Sequence, residues 1–216
     1  MSVRRMWVVL CLTAVVAGPV SAGTRAPLPG RTYTWTFEAD TLGQAPASTR
    51  VASGRWAVLE DSTQAGTRLL RQMDFEEGLG SHALQFLKPR VADQQTSVRY
   101  RIRSGGIDPS VGIAFQLDAK GKNGYLVRVS GRSQELIAHY LLNGKRRDIK
   151  MVPVEPPRPD EWHTLGVRRV GERLEVIYDG VVKMKLRDER FSAGNVGLWT
   201  EDDTVADFSG LAVTTL

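Results

Sequence analysis

The acidic run Glu201-Asp202-Asp203 is the densest group of side chains in this sequence that could act on a covalent bond. Glycoside hydrolysis normally uses two carboxyl groups that flank the scissile bond. Glu201 and Asp203 are alternate residues, so on a continuous strand they would share one face. Val205 occupies the next position on that face, so the face carries no third carboxylate there. The run therefore provides two candidate catalytic residues, Glu201 and Asp203. The alternative is a solvated acidic turn at the end of a strand.

A second group consists of polar residues that alternate with apolar ones. The candidates for ligand binding among them are Arg101, Gln116, Arg128 and His139. Because successive side chains of a strand point to opposite faces, we expect these four on the polar side of a sheet. Such donors suit the hydroxyl or carboxylate groups of sugars, and arginine can hold a carboxylate through two hydrogen bonds. The alternative is an ordinary charged face exposed to water.

Two aromatic residues are candidates for stacking against a sugar ring at the edge of this face, Trp199 and Tyr125. Tyr125 has the same parity as Val127, a pattern that also fits a buried position. No metal-ligand spacing connects the three histidines of the chain. The sequence also contains no Gly-x-Ser-x-Gly nucleophile elbow.

Strands joined by tight turns must position these residues. Between residues 161 and 186, Leu165 and Val167 alternate with polar neighbours, and so do Leu174 and Val176. Asp179-Gly180 then predicts a hairpin, since a type I′ turn needs positive φ at both central residues. Similar alternation recurs from residue 33 to the end of the chain, and no helical period of useful length appears. These patterns predict an all-β sandwich or barrel.

The first 22 residues differ from the rest of the chain. Arg4 and Arg5 precede an apolar run from Met6 to Ala17, and small residues follow up to Ala22. This is the pattern of a secretory signal peptide cleaved after Ala22. The alternative, a membrane anchor, would need about 20 apolar residues. We therefore expect a signal peptide over residues 1–22, a linker over 23–30 and one folded domain over 31–216.

Charge and cysteine content narrow the expected partners and compartment. Residues 1–22 contain two arginines and no acidic residue, so cleavage lowers the formal net charge from +5 to +3. Such a small excess gives little reason to expect nucleic acid as a partner. The only cysteine, Cys11, lies within the predicted signal peptide. We expect a secreted or periplasmic protein without disulfides and without stable membrane insertion.

Several short segments resemble the concanavalin-A-like or laminin-G-like jelly-roll domains, in particular the secreted 3-keto-disaccharide hydrolase domain family. The segments that carry the resemblance are Phe37…Asp40…Gly43…Pro46…Gly54…Trp56, Gly105-Gly106-Ile107, Gly112-Ile113-Ala114-Phe115, Glu161-Trp162-His163, Tyr178-Asp179-Gly180 and Gly194-Asn195-Val196-Gly197-Leu198-Trp199. The resemblance covers nearly the whole chain after the predicted signal peptide. It implies a jelly-roll β-sandwich of two antiparallel sheets, one of which curves and forms a shallow groove on its outer side.

The resemblance also implies possible ligands and activities. Relatives of this sandwich often hold a structural Ca²⁺ between the first and last strands, which points to Glu38 and Asp207 as ligands. The alternative is that both are ordinary surface acids, and no other cofactor is expected. Three functions stay open: glycan recognition, hydrolysis of the 3-keto-disaccharide type, and a structural or protein-binding role. The lack of a convincing carboxylate pair favours recognition, whereas a domain that fills the chain favours hydrolysis.

Overall fold

The structure is a computed structural model, and it describes residues 30–75, 78 and 80–216. The predicted signal peptide, residues 1–22, and linker residues 23–29 lie outside this part of the chain. No helix in the described part is long and apolar enough to cross a membrane.

The described residues form fifteen strands that are connected by turns and loops. In chain order they are β1 (Thr32–Trp35), β2 (Thr49–Ser53), β3 (Trp56–Glu60), β4 (Arg68–Gln72), β5 (Ser81–Phe86), β6 (Gln94–Ser104), β7 (Ser110–Leu117), β8 (Gly124–Ser130), β9 (Glu135–Leu142), β10 (Lys145–Pro153), β11 (His163–Val170), β12 (Arg173–Tyr178), β13 (Val181–Arg187), β14 (Asn195–Glu201) and β15 (Val205–Thr215). The described part of the chain contains no helix, which confirms the all-β prediction.

The strands make two antiparallel sheets. Sheet I has the order β13-β12-β11-β6-β15-β4-β3, and β1 adds to the distal half of β15. Sheet II has the order β10-β9-β8-β7-β14-β5-β2. Consecutive strands β7 to β10 are neighbours, as are β11 to β13, because tight turns join them. The predicted sandwich of two antiparallel sheets is confirmed.

The core lies between the two sheets and is built from the alternation that the sequence shows. Val98, Tyr100 and Ile102 of β6 are buried on the inner side of sheet I. Ile113 and Phe115 of β7 face them from sheet II as part of the same apolar cluster. Burial of a side chain of this size stabilises the fold by about 1.5–3 kcal/mol. The remaining parity of each strand is therefore the outer face of its sheet, where a ligand could bind.

Hairpin turns fix the register of the strands. Asp179 and Gly180 have φ of 47° and 77°, the left-handed pair that the sequence predicts between β12 and β13. Asn143 and Gly144 have φ of 53° and 78° and join β9 to β10 in the same way.

One strand was not predicted. Residues 49–53 form β2, a strand that no alternation of apolar and polar residues predicts. β2 is the edge strand next to β5, and most of its side chains are exposed. An exposed edge strand has no buried face, so it shows no alternation to detect.

Candidate functional site

The outer face of sheet II brings together three of the predicted binding residues, Trp199, Arg128 and His139. Trp199 pairs with Gly112 across β14 and β7, and Gly112 pairs with Arg128 across β7 and β8. A side chain on Gly112 would meet the Val127 carbonyl oxygen at 2.8 Å and the Arg128 Cβ at 3.2 Å. The glycine therefore leaves the Arg128 guanidinium free to lie over the Trp199 ring, 5.8 Å from its centroid.

Arg128 is fixed in this position by a network of short hydrogen bonds. Its Nη1 donates to Asp108 Oδ2 at 2.9 Å and to Ser110 Oγ at 2.8 Å. Ser130 Oγ donates to the other oxygen of Asp108 at 2.6 Å. Burial raises the pKa of Asp108, but the hydrogen bonds from Ser130, Arg128 and Ser110 together outweigh burial and hold that pKa below its usual value. Asp108 is therefore an anion that anchors the guanidinium.

His139 completes the network as a neutral imidazole. Its side chain is almost fully buried, and burial followed by the positive charge of Arg128 lowers its pKa to about 4. Its Nδ1 lies 2.7 Å from Asp148 Oδ1, and its Nε2 accepts a hydrogen bond from Arg128 Nε at 3.4 Å. A proton on Nδ1 satisfies both contacts, since the carboxylate can only accept and the guanidinium can only donate.

Arg146 reaches this face from β10 and shows that the sheet is curved. Its Nη2 donates to Glu201 Oε1 at 3.1 Å, its Nη1 also contacts Glu201, and its guanidinium lies 4.9 Å from the centroid of Trp199. Three strands separate β10 from β14, which in a flat sheet would place them about 19 Å apart at about 4.8 Å per strand. The contact requires β10 to curl over the outer face, so this face is concave.

Trp199 is covered in this arrangement rather than open. Only 5% of the residue is exposed, because Arg146 and Arg128 lie over it and Leu126 packs beside it. The prediction that the indole stacks directly on a sugar is therefore not what the structure shows. The indole is instead the base on which two guanidinium groups rest, through cation–π contacts.

The two catalytic candidates do not form a pair. Glu201 ends β14 and is bound to Arg146, whereas Asp203 is almost buried and accepts hydrogen bonds from the backbone N–H groups of Gly106 and Ile107 at 2.6 and 3.3 Å. The chain turns at Asp202, which has φ of 41°, so the alternation that places Glu201 and Asp203 on one face stops at Glu201. The structure therefore does not show the predicted carboxylate pair. It does not show the alternative of a solvated turn either, because the buried Asp203 carboxylate binds the backbone of the loop that contains Gly106 and Ile107.

Three other predicted binding residues lie elsewhere. Arg101 belongs to β6 in sheet I, so it cannot share a face with Arg128. Tyr125 is buried in the core, stacked on Phe115 with 5.2 Å between ring centroids. Gln116 has φ of 50° at a register shift between β7 and β14, and its side chain turns to donate to two loop carbonyl groups. Alternation predicts neither the sheet to which a strand belongs nor a bulge within it.

Glu38 and Asp207 do not fit a calcium site. Asp207 is fully buried and accepts hydrogen bonds from Arg71 at 2.5 Å and from Arg101 at 2.8 Å, so its negative charge is already matched by guanidinium groups. Glu38 accepts a hydrogen bond from the backbone N–H of Arg68. Within residues 30–75, 78 and 80–216, no cluster of three or more acidic, histidine or cysteine residues could hold a metal ion. Calcium binding stays a prediction without a ligand set.

Three members of the site were not predicted from the sequence: Arg146, Asp148 and Asp108. The signal for two of them was present, since the Asn143-Gly144 turn pairs β10 with β9. In that pairing Asp148 is opposite His139, and Arg146 has the same parity as Asp148. Asp108 lies in the loop before β7, where no periodic pattern applies.

The solved structures that are similar to this chain include the following three. The carbohydrate binding module CBM66 from Bacillus subtilis has a TM-score of 0.64 at 19% identity, covering 80% of this chain and 97% of that module. The exoplasmic/lumenal domain of VIP36 in its Ca²⁺/Man2-bound form has a TM-score of 0.61 at 11% identity, covering 86% and 87%. The carbohydrate esterase vb_24B_21 from Shiga toxin-encoding bacteriophage phi24B has a TM-score of 0.56 at 14% identity, covering 86% and 99%.

The chain has a concanavalin-A-like jelly-roll fold. At such low sequence identity the three likenesses establish the fold and nothing about the ligand. No family model matches the chain, and no curated protein matches it. Membership in the 3-keto-disaccharide hydrolase family therefore stays a prediction.

Proposed function

We propose that this chain is a secreted glycan-binding protein whose ligand binds on the concave outer face of sheet II. The observation that carries the proposal is the pair of guanidinium groups, Arg128 and Arg146, that rest on Trp199 and are each held by a carboxylate. Planar donors fixed beside acceptors suit the vicinal hydroxyl groups of a sugar. The fold supports the proposal by analogy, because a carbohydrate binding module and a mannose-bound domain share it.

The accessible part of this face has both donors and acceptors. The side chain of Arg146 is 34% exposed and that of Asp148 is 62% exposed. Glu201 lies at the edge of the surface that these two side chains expose. Arg128 and His139 lie beneath them and are nearly covered. Sugar hydroxyl groups would therefore bind Arg146, Asp148 and Glu201. The buried network keeps these groups in place, so little side-chain freedom is lost on binding.

The same geometry supports recognition better than hydrolysis. A glycosidase needs one carboxyl group that gives up a proton and a second that acts as a base or a nucleophile. The Glu201 carboxylate is ion-paired with Arg146, and that of Asp203 is bound to two backbone amides. Neither is arranged to transfer a proton to a sugar between them.

The proposal is tested on a glycan array with the mature protein and two matched variants, Arg146→Ala and Arg147→Ala. These residues are adjacent on the exposed edge strand β10 and point to opposite faces, since Arg146 alone contacts Trp199. Removing a hydrogen bond to a charged group costs about 1.5–3 kcal/mol, or roughly 10- to 150-fold in affinity. We expect the wild type and Arg147→Ala to bind the same glycans and Arg146→Ala to lose them. Equal loss in both variants would indicate nonspecific attraction to basic groups, and no bound glycan would refute the proposal.

A further inference from the structure

A second concave site lies on the opposite side of the sandwich, on the outer face of sheet I. It is a cavity of about 520 Å³ whose lining includes Glu38, Asp61, Thr63, Arg99 and Trp162. Ligand sites in proteins typically occupy about 300–1,000 Å³. The cavity is therefore large enough for one sugar ring, and it is separate from the site on sheet II.

An irregularity in β15 creates the depression. The pairing of β15 with β6 shifts between Ser209 and Ala212, and Gly210 within the shift has φ of 61°. A Cβ on Gly210 would meet no atom within 4 Å, so the bulge opens onto empty space. Bulges of this kind often adjoin functional sites because they redirect the strand.

Buried charges hold one wall of the cavity in place. The loop between β3 and β4 is closed by Asp61, whose Oδ1 accepts hydrogen bonds from the backbone and hydroxyl groups of Thr63 at 2.9 and 2.7 Å. Arg101 reaches the same loop, with 3.5 Å contacts to Asp61 and Thr63, while it donates to Asp207 at 2.8 Å. An outer sheet face normally meets water, yet only 3% of Arg101 is exposed. Arg101 therefore fixes the loop between β3 and β4 to the outer face of sheet I.

Around the cavity the guanidinium groups outnumber the carboxylate groups by one. Four guanidinium and three carboxylate groups line it or lie directly beneath it: Arg68, Arg71, Arg99 and Arg101, with Glu38, Asp61 and Asp207. Arg71 and Arg101 bind Asp207, and Arg68 Nη1 donates to the backbone carbonyl groups of Glu38 and Asp40. Arg99 has no carboxylate partner among the described residues. Its guanidinium lies 4.8 Å from the Trp162 ring centroid, and that of Arg101 lies 4.6 Å from the same centroid.

We propose that this cavity binds a sugar that carries one carboxylate, a hexuronic acid residue. The carboxylate pairs with Arg99, whose guanidinium has no carboxylate partner among the described residues, and the part of the half-buried Trp162 indole that Arg99 and Arg101 leave uncovered contacts the sugar ring. Hydroxyl groups of the sugar meet Thr63 and Ser209, which also line the cavity. The proposal is independent of the glycan site on sheet II, because the two sites occupy opposite outer faces.

The test is a heteronuclear NMR titration of the mature protein with sodium D-glucuronate, with D-glucose as the neutral control of the same shape. We expect glucuronate to shift the Trp162 indole resonance in a saturable way, assigned with Trp162→Phe, and glucose to leave it in place. Arg99→Gln should weaken glucuronate binding at least tenfold. Arg103→Gln should not, since Arg103 is on the same strand and parity but pairs with Asp160.

The remaining outcomes also decide whether the proposal holds. Equal shifts with glucose, equal weakening in Arg103→Gln, or no saturable shift at Trp162 would overturn the proposal. Should Arg99→Gln fail to fold, the glucuronate–glucose difference at Trp162 still decides. Glucuronate binding that survives Arg146→Ala would support this site whether or not the site on sheet II binds glycans.

Discussion

Acidification is expected to destabilise the fold through His139. Burial is the largest cause that lowers its pKa, the positive charge of Arg128 adds to it, and Asp148 opposes both without cancelling them. The pKa falls from 6.5 to about 4. In the unfolded chain the imidazole binds a proton as the pH drops below 6.5, whereas in the folded protein it stays neutral until about pH 4. Stability is therefore complete above pH 6.5 and decreases down to about pH 4.

The size of this loss follows from the pKa difference. Each pKa unit corresponds to about 1.4 kcal/mol, so the free energy of unfolding should fall by about 3 kcal/mol across this window. Urea unfolding at pH 7, 6, 5 and 4 would measure the decrease in the wild type and in His139→Gln, which cannot titrate. The carboxyl groups that titrate in this window are the same in both proteins, so their effect on the free energy of unfolding cancels in the difference. The difference between the two curves should slope by about 1.4 kcal/mol per pH unit. A flat difference, or an NMR-measured pKa of 6.5 or more for His139, would refute the reasoning.

Three further changes test separate features. Gly112→Ala should destabilise the protein by about 1–3 kcal/mol in urea unfolding, because the new Cβ meets the Val127 carbonyl oxygen. The control Gly106→Ala should destabilise it less, because its Cβ meets one side-chain oxygen at 3.5 Å. Equal destabilisation by the two variants would contradict the account. Asp203→Ala should cost about 1–3 kcal/mol by leaving two loop amides without an acceptor, and an unchanged melting temperature would show that the amides find water. The intact mass of the exported protein should be that of a chain that begins at Gly23. A mass that includes the N-terminal segment would contradict signal cleavage.

Alternation was sufficient to predict that Arg128 and His139 point to the outer face of a sheet. Arg128 and His139 lie within regular strands, so their parity relative to buried neighbours gives their direction directly. The fold class followed from the same regularity and from turn residues such as Asp179-Gly180. These features depend on interactions between residues that are close in sequence.

The remaining features depend on contacts between distant parts of the chain. Gln116 leaves the face because of a bulge, and Asp203 leaves it because the strand ends two residues earlier. Arg101 has the predicted parity but belongs to the other sheet, which no local pattern reveals. The pair of Arg146 and Glu201 joins residues 55 apart in sequence, and it forms only because the edge of sheet II curls over its own face.

A crystal structure of the mature protein with the strongest glycan from the array tests the central claim most directly. The account predicts a sugar on the outer face of sheet II, with its hydroxyl groups within hydrogen-bond distance of Arg146 and Glu201 and the indole of Trp199 beneath the two guanidinium groups. A sugar bound only in the cavity beside Trp162, or at any surface away from sheet II, would contradict it.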